Sequence, residues 1–391
     1  MKPVYLDNNA TTAVAQEVLD EMLPYLKDLY GNPSSMHTFG GQLHGRIEDA
    51  RGKVAELIGA EPDEIIFTSC GTESDNTAIM SPVESYPQKK HIVTTRVEHP
   101  AVRSFCRHLA RKGYKVTFLP VDNQGRLAME TLLKAISDDT AVVTIMYANN
   151  ETGVIFPIQE IGEILRERKI IFHTDAVQAV GKVPVDVKKL PVDMLSLSGH
   201  KLHAPKGVGA LYVRKGTRFN PYLIGGHQEK GRRAGTENIA SIIGLGKACE
   251  MARKNLREDV SYLGRLRDKL EKSLLALCPD SRVNGDIEHR LPNTTNISFE
   301  YVEGEAILLR INEHGICASS GSACTSGSLE PSHVLRAMGI PYTCIHGSIR
   351  FSLSRYTTEE EIDTVTEIMP GIIKDLRALS PFGREKLSTT T

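Results

Sequence analysis

Short apolar runs alternate with amphipathic stretches over the first half of the chain. The runs are rich in β-branched residues and apolar on both side-chain parities, which is typical of strands buried on both faces of a mainly parallel sheet. Helical patterns lie between several runs, for example at residues 129–137 and 158–168, so the alternation predicts an open α/β sheet flanked by helices. The predicted strands are residues 64–69, 91–95, 115–119, 141–146, 170–174, 194–198 and 209–213.

The pattern changes after about residue 238. Two long amphipathic helices are predicted there, at residues 239–255 and 260–277, and a shorter segment of mixed type follows. We therefore predict a large domain over residues 14–258 and a smaller α+β domain formed by residues 1–13 and 259–391. The mixed segment has predicted strands at residues 294–299 and 349–353 and predicted helices at residues 303–314 and 358–376.

Composition narrows the class of protein. The chain of 391 residues exceeds one ordinary core and corresponds to about two to three domains. Lys and Arg total 47 and Asp and Glu total 48, and a net charge of −1 argues against binding of nucleic acid or an anionic membrane by the whole chain. The sequence lacks an apolar run long enough to span a membrane and an apolar signal segment at its start. The expectation is a soluble intracellular enzyme.

The seven cysteines are the next feature that carries information. Without a C-x-x-C pair they argue against a disulfide framework and fit reduced thiols in the cytoplasm. Cys106, Cys249 and Cys278 fall in predicted helices and are interpreted as small core residues. Cys324 lies among Gly, Ser and Thr residues that predict a mobile loop, where an exposed thiol suggests that its reactivity is used. A pair with Cys317 is disfavoured, because the seven-residue spacing matches no common ligand pattern.

Chemically capable residues follow the predicted strands, where open α/β sheets bind their ligands. Gly71 and Thr72 open a helix, and backbone N–H groups with a hydroxyl at a helix start suit a phosphate, although an ordinary helix cap is the alternative. Asp175 ends another strand, where it could pair with a cationic ring nitrogen or cap a helix. Lys201 follows it by 26 residues and could be a Schiff-base nucleophile or a plain loop residue.

A phosphate seat, a carboxylate and a lysine together match pyridoxal 5′-phosphate, which needs partners for its phosphate, its pyridinium nitrogen and its aldehyde. His99 follows yet another strand and could stack on the ring or move protons, or could be a hydrogen-bonded structural histidine. Arg350 lies within an apolar strand. Its planar fork suits the α-carboxylate of an amino acid, and an intramolecular salt bridge is an equal alternative.

At this point the sequence resembles a known family. It is similar nearly end to end to the cysteine desulfurases of the nitrogen-fixation type, within the class V aminotransferase group of fold type I pyridoxal-phosphate proteins. The length of the loop around Cys324 resembles the group with a mobile cysteine arm. The motifs that carry the resemblance are residues 5–12, 31–35, 68–76, 98–101, 149–153, 173–178, 198–201, 231–238 and 319–328.

The resemblance implies a role for each candidate residue. The catalytic residues would be Lys201, which holds the cofactor and removes the substrate Cα proton, His99, which stacks on the ring and assists proton transfer, and Cys324, which receives sulfur. Arg350 would bind the substrate carboxylate. The remaining cofactor contacts would be Asp175 at the pyridinium nitrogen, Gln178 and Asn150 near the ring oxygen, Gly71, Thr72, Ser198, Gly199 and His200 around the phosphate, and Thr236 from the other subunit of a homodimer.

The implied reaction converts L-cysteine to L-alanine and leaves a persulfide on Cys324. An iron–sulfur scaffold protein would accept the sulfur, in nitrogenase assembly or in general cluster assembly. No intrinsic metal site is implied, although Cys324 could contact an iron–sulfur cluster during transfer. Three alternatives stay open on the same fold: a selenocysteine lyase, an aminotransferase without need of Cys324, and a non-catalytic assembly partner.

Overall fold

The computed structural model describes residues 3–320 and 331–380, so Cys324 lies outside the described residues. Strands and helices are numbered in chain order. The strands are β1 (Val4–Tyr5), β2 (Ile65–Thr68), β3 (His91–Thr95), β4 (Lys115–Leu119), β5 (Thr140–Thr144), β6 (Ile171–Asp175), β7 (Met194–Ser198), β8 (Gly209–Val213), β9 (Ser281–Val283), β10 (Thr294–Phe299), β11 (Ile316–Cys317) and β12 (Ser348–Ser352).

The helices alternate with strands in the first half of the chain, as the sequence pattern predicted. They are α1 (Gln16–Lys27), α2 (Thr38–Gly41), α3 (Leu43–Ile58), α4 (Gly71–Ser85), α5 (Pro100–Arg111), α6 (Met129–Ala135), α7 (Ile158–Glu167), α8 (Ile239–Leu277), α9 (Gly304–Glu313), α10 (His333–Ala337), α11 (Tyr342–Ile345) and α12 (Glu359–Leu379).

A seven-stranded sheet forms the centre of the larger part of the molecule. Its spatial order is β2-β8-β7-β6-β5-β3-β4, and β8 runs in the direction opposite to the other six strands. Every residue of β3, β5, β7 and β8 is buried, as expected for strands covered on both faces. The α/β class with a mainly parallel sheet is confirmed, and the seven predicted strands match β2 to β8 within two residues.

The prediction of two separate helices after residue 238 is wrong. Helix α8 is continuous over 39 residues, from the Asn238 cap to Leu277. The intervening segment 255–260 is polar and partly exposed, but it contains no Gly or Pro that would end a helix. The apolar periodicity is interrupted at this segment because the helix is exposed to solvent there, and the interruption does not mark the end of a helix. Since α8 crosses residue 258, the domain boundary placed there stays a prediction.

The C-terminal half has two small sheets and a core of its own. Strand β10 pairs antiparallel with β12 and β9, and β1 pairs parallel with β11, so the start of the chain joins this part. Leu6 packs with Leu266, Phe299, Phe351 and Ile362 in a cluster separate from that of the central sheet. Asn9, from the start of the chain, and Arg350, from β12, reach the edge of the central sheet where its parallel strands finish.

Two further findings concern membrane-spanning helices and the burial of the cysteines. Among the described residues, no helix is both long and apolar enough to cross a membrane. Cys106, Cys249 and Cys278 are each at most 2% exposed and pack in apolar clusters, as predicted for core residues.

Candidate active site

A cavity of about 260 Å³ opens at the carboxyl ends of β2, β3, β5, β6 and β7. Parallel strands bring their ends to one edge of a sheet, so residues distant in sequence converge there. Most of the predicted site residues meet in this cavity, although they come from the ends of five strands of the central sheet and from β12. They are Gly71, Thr72, His99, Asn150, Asp175, Gln178, Ser198, His200, Lys201 and Arg350.

Two of the predicted residues, Gly199 and Thr236, do not line this cavity, and a third is not described. Gly199 does not line the cavity, because it packs behind it, where an added Cβ would lie 2.8 Å from Val208 Cγ1. Thr236 is exposed and borders a second cavity of about 170 Å³ beside Ser69, so it does not face the first cavity of its own chain. Cys324 lies outside the described residues.

Lys201 is held at the centre of the cavity by the start of the chain. It ends a short 3₁₀ turn, Gly199–Lys201, that follows β7 directly. Its Nζ donates to the carbonyl oxygens of Asn9 and Ala10, at 2.7 and 2.6 Å. A half-buried primary amine, oriented by two carbonyls and open to a cavity, has the position that a Schiff-base nucleophile requires.

Asp175 ends β6 and is 6% exposed. One of its oxygens accepts the Val177 N–H at 3.0 Å. Burial raises the pKa of Asp175 to about 6, while that N–H and the Lys201 charge oppose the rise. Asp75 lies on the same cavity, and its pKa is raised well above the ordinary value by burial and then by the Asp175 charge. A cationic ring nitrogen placed against Asp175 would relieve this unfavourable burial of negative charge.

The start of helix α4 lines the same cavity and has the groups that an anion site needs. An added Cβ on Gly71 would lie 2.8 Å from Val177 Cγ2, so the helix begins in close contact with the segment after β6. The first N–H groups of a helix lack intrahelical acceptors and favour an anion. Ser198 Oγ is buried here and has no hydrogen-bond partner among the described residues. A phosphate would supply the missing acceptor.

His99 caps helix α5 and faces the cavity. Its Nδ1 accepts the Ala101 N–H at 3.2 Å, so in the neutral ring the proton sits on Nε2. Burial, together with the nearby Lys201 and His333 charges, lowers the pKa of His99 to about 4. His99 is therefore a neutral ring near pH 7, suited to stacking and to donating one hydrogen bond.

Arg350 lies in the middle of β12, is 4% exposed, and reaches the cavity from the small sheet. Its Nη2 pairs with Asp7 Oδ1 at 2.6 Å, and its Nη1 donates to the Asn150 carbonyl at 3.0 Å. Its Nε is buried without an acceptor in the part of the chain that the structure describes. The intramolecular salt bridge therefore exists, and it leaves a donor that a substrate carboxylate could use.

The chain is similar to known proteins in both sequence and fold. The class-V aminotransferase family matches residues 4–365. A cysteine desulfurase of Trichormus azollae is 62% identical over 386 residues, which are 99% of this chain and 96% of that protein. The cysteine desulfurase NifS of Azotobacter vinelandii is 60% identical over 383 residues, 98% of this chain and 95% of that one. A solved structure named NifS-like protein superposes with a TM-score of 0.90 at 40% identity, covering 96% of this chain and 100% of that one.

The chain belongs to the NifS-type cysteine desulfurases. These enzymes form part of the class-V aminotransferase family, which depends on pyridoxal 5′-phosphate. In this cysteine desulfurase the donor set fits that cofactor on three observations. The unpartnered Ser198 hydroxyl and the α4 start suit its phosphate, the buried Asp175 suits its ring nitrogen, and the Lys201 amine suits its aldehyde.

The desulfurase site also contains residues that sequence reasoning missed. Asn9 and Ala10 line the cavity and hold Lys201, although the first residues were expected only to pack on the small domain. The run of polar residues from Asp7 to Thr12, straight after the short β1, was the available signal. Asp75 was missed because it is one of several polar residues near the start of helix α4, where polar residues are ordinary. Lys182 was missed because it follows Gln178 in what reads as a surface turn.

Proposed function

We propose that this cysteine desulfurase removes sulfur from free L-cysteine, releases L-alanine and receives the sulfur on Cys324 as a persulfide. The observation that supports this most strongly is that Lys201, the buried Asp175 and the buried Arg350 line one cavity, and that Arg350 Nε has no acceptor among the described residues. That combination suits an amino-acid substrate, because Arg350 matches its α-carboxylate and Lys201 can act at its α-carbon.

Pyridoxal 5′-phosphate is the proposed cofactor. When bound, it supplies a ring that withdraws electrons from the substrate α-carbon. Lys201 Nζ would hold its aldehyde carbon, Asp175 its ring nitrogen, and Gln178 and Asn150 its ring oxygen. The phosphate would lie against the α4 start with Gly71 and Thr72, beside Ser198 and His200, and the neutral His99 ring would cover one face.

Three side chains of the protein then have different roles in the reaction of the substrate. Arg350 binds and orients the α-carboxylate. Lys201 Nζ removes the α proton and later returns a proton to the carbon skeleton, since its amine lines the cavity and is oriented by the Asn9 and Ala10 carbonyls. His99 donates its Nε2–H to the reacting groups, and its low pKa keeps it from competing with Lys201 as a cation.

Sulfur transfer is proposed to occur on Cys324 as a thiolate. Its Sγ forms a bond to the substrate sulfur as the carbon–sulfur bond breaks. The electron pair of the broken bond stays with the carbon, which is then protonated to give alanine. The products are alanine and an enzyme persulfide, so the step balances without an external oxidant or reductant.

A homodimer is proposed, with Thr236 reaching the cofactor phosphate of the partner subunit. Three observations support this. Thr236 is exposed and faces away from the cavity of its own chain. The segment before it is fixed by the ion pair of Arg233 Nε with Glu73 Oε1 at 2.8 Å, on the same helix α4 whose start lines the cavity. Large exposed apolar side chains, among them Met36 and Ile224, are available for an interface.

The destination of the sulfur is proposed to be an iron–sulfur scaffold protein in the cytoplasm, serving nitrogenase assembly. The NifS name of the Azotobacter vinelandii relative supports this proposal. No resident metal is proposed. Any contact of Cys324 with iron would be transient and part of the transfer.

The test replaces Cys324 with alanine in the cofactor-loaded protein and measures sulfide release from L-cysteine with a reductant present. The expected result is loss of sulfide with unchanged visible absorbance of the cofactor. Cys317→Ala is the matched control, since Cys317 is half-buried in β11 and should keep the activity. Normal sulfide release by Cys324→Ala would overturn the assignment of the acceptor.

A further inference from the structure

Lys182 is a buried lysine that the reaction described above does not use. Its residue is 9% exposed, and it lies four positions after Gln178 in the segment following β6. Its Nζ donates to Gln178 Oε1 at 2.5 Å and to Asn9 Oδ1 at 3.1 Å. No carboxylate of the described chain lies within salt-bridge distance of it. A buried lysine that serves only two amide oxygens calls for an explanation, because burying an amine is costly.

The Gln178 amide has one possible orientation between its neighbours. Its Oε1 faces the Lys182 amine, and its Nε2 donates to the Asn9 carbonyl at 2.9 Å. A flipped amide would place its oxygen against that carbonyl oxygen, and two acceptors repel. An amide nitrogen carries two N–H groups, and only one is used by Asn9. Since Gln178 lines the cavity, its second N–H is the polar group left for a ligand.

Asn9 links this amide to the catalytic amine. Its carbonyl accepts from both Gln178 Nε2 and Lys201 Nζ. Its side-chain oxygen accepts from Lys182 and from Asn293 Nδ2, the latter at 3.2 Å. Asn9 is itself fixed, since its Nδ2 donates to Thr294 Oγ1 at 2.8 Å. The donors and acceptors around Gln178 are thus held by strand β10 and by the start of the chain.

We propose that Lys182 is a positioning residue that occupies the Gln178 oxygen, so that Gln178 presents only an N–H to the cofactor ring. A site that can only donate at this point prefers a ring oxygen that carries negative charge over a neutral hydroxyl. Lys182 would thereby act on the charge state of the ring without touching it. This inference rests on the proposed function, because it concerns the proposed cofactor.

The protonation of Lys182 is consistent with this role. Burial lowers its pKa well below the ordinary value, and the charges of Lys201 and Arg350 lower it further. A neutral amine has two N–H groups, and Lys182 has two acceptors. A protonated amine has three, so Lys182 supplies an N–H to both acceptors and can fix the amide in either protonation state.

The experiment is a double-mutant cycle on pyridoxal 5′-phosphate binding, with Lys182→Met, Gln178→Leu and the double variant. Cofactor-free protein is titrated with pyridoxal 5′-phosphate, and the visible absorbance of the complex is followed against pH. Lys182→Met should weaken the binding of pyridoxal 5′-phosphate roughly five- to tenfold, because the hydrogen bonds that orient Gln178 are lost. It should also raise the pH at which half of the change in visible absorbance has occurred. In the Gln178→Leu background the same change should have an effect below roughly twofold.

Two controls separate the outcomes. Lys247→Met removes a partly buried lysine on α8 that pairs with Glu250, and it should leave binding and midpoint unchanged. An equal effect of Lys182→Met with and without Gln178 would overturn the inference, because Lys182 would then act by another route. Failure of the unmodified protein to bind pyridoxal 5′-phosphate would instead contradict the proposed function, and the inference with it.

If Lys182→Met does not fold, the same binding measurement is made on Gln178→Glu. The two side chains have the same shape, but glutamate has no N–H. It would place an acceptor against both the Asn9 carbonyl and the ring oxygen. Binding of pyridoxal 5′-phosphate should fall by more than roughly tenfold, in a protein whose thermal unfolding is cooperative. Binding equal to that of the unmodified protein would overturn the claim that donation at this position is required.

Discussion

The Arg350 guanidinium and the Asp7 carboxylate form an ion pair at the wall of the cavity, with Nη2 and Oδ1 2.6 Å apart. Arg350 belongs to β12, an edge strand of the three-stranded sheet that pairs with β10, and Asp7 belongs to the start of the chain. The pair therefore joins two separate segments and also sets the charge that an incoming carboxylate meets. The consequences for substrate binding can be measured separately for each partner.

Arg350→Lys should raise the KM for L-cysteine by roughly tenfold or more, with a smaller effect on kcat. Lysine keeps the charge but lacks the planar fork that binds a carboxylate with two parallel hydrogen bonds. Steady-state kinetics at several cysteine concentrations measures this. Arg290→Lys is the matched control, since Arg290 is equally buried and pairs with Glu271 outside the cavity. An unchanged KM in Arg350→Lys would remove Arg350 from the substrate site.

Asp7→Asn should lower the KM for L-cysteine by roughly two- to fivefold. The asparagine keeps an oxygen that can accept from Arg350, but it removes the negative charge that competes with the substrate carboxylate. The same kinetic assay, repeated at low and high salt, reports the electrostatic part. A KM that rises instead would mean that the ion pair serves mainly to orient Arg350.

Asp175→Asn should reduce kcat by roughly a hundredfold or more while the protein still binds pyridoxal 5′-phosphate. Asparagine can face the ring nitrogen but cannot stabilise a positive charge on it. Asp193→Asn is the matched control, because Asp193 is also a largely buried carboxylate, which accepts the Phe172 N–H at the opposite end of β6. Substantial activity in Asp175→Asn would contradict the proposed role.

Glu98→Gln should change how stability depends on pH. Burial raises the pKa of Glu98 to about 8, against the opposing hydrogen bonds from Thr95 and Met146. Between the unfolded pKa near 4.5 and the folded pKa near 8, unfolding releases a proton, so the native chain loses stability as pH rises, by up to about 1 kcal/mol per pH unit. Glutamine does not titrate and should remove this loss.

The measurement is thermal or urea unfolding of both proteins at pH 5, 6.5 and 8. The stability of Glu98→Gln relative to the unmodified chain should grow with pH through this interval. Glu56→Gln provides a control on the exposed surface, where Glu56 pairs with Arg253, and its curve should run parallel to that of the unmodified chain. Parallel curves for Glu98→Gln would show that Glu98 is ionised in the native protein.

Local pattern was sufficient for the central sheet and for much of the site. Strands such as β3 and β7 are buried on both faces, so their apolar character is visible without knowledge of their neighbours. Asp175 and Lys201 could be found because they follow such strands directly. Helix α8 was divided wrongly because its middle is solvated, and solvation removes the apolar periodicity without removing helix propensity.

Contacts between distant segments could not be predicted in this way. Asn9 and Lys182 are 173 positions apart, and their side chains meet only because the chain start crosses the edge of the sheet. The sequence around Arg350 also could not distinguish a substrate-binding residue from a partner in an intramolecular salt bridge. The salt-bridge partner is Asp7, which is 343 positions away in the sequence. The role of Cys324 stays a prediction, because it lies outside the described residues.

The central claim is that L-cysteine is split into alanine and transferable sulfur. The most direct test incubates the cofactor-loaded protein with L-cysteine and a reductant, and measures alanine and sulfide in the same sample. Equal amounts of the two products are expected, rising together with time, and Lys201→Ala should form neither. A keto acid in place of alanine, or alanine without an equal amount of sulfide, would contradict the account.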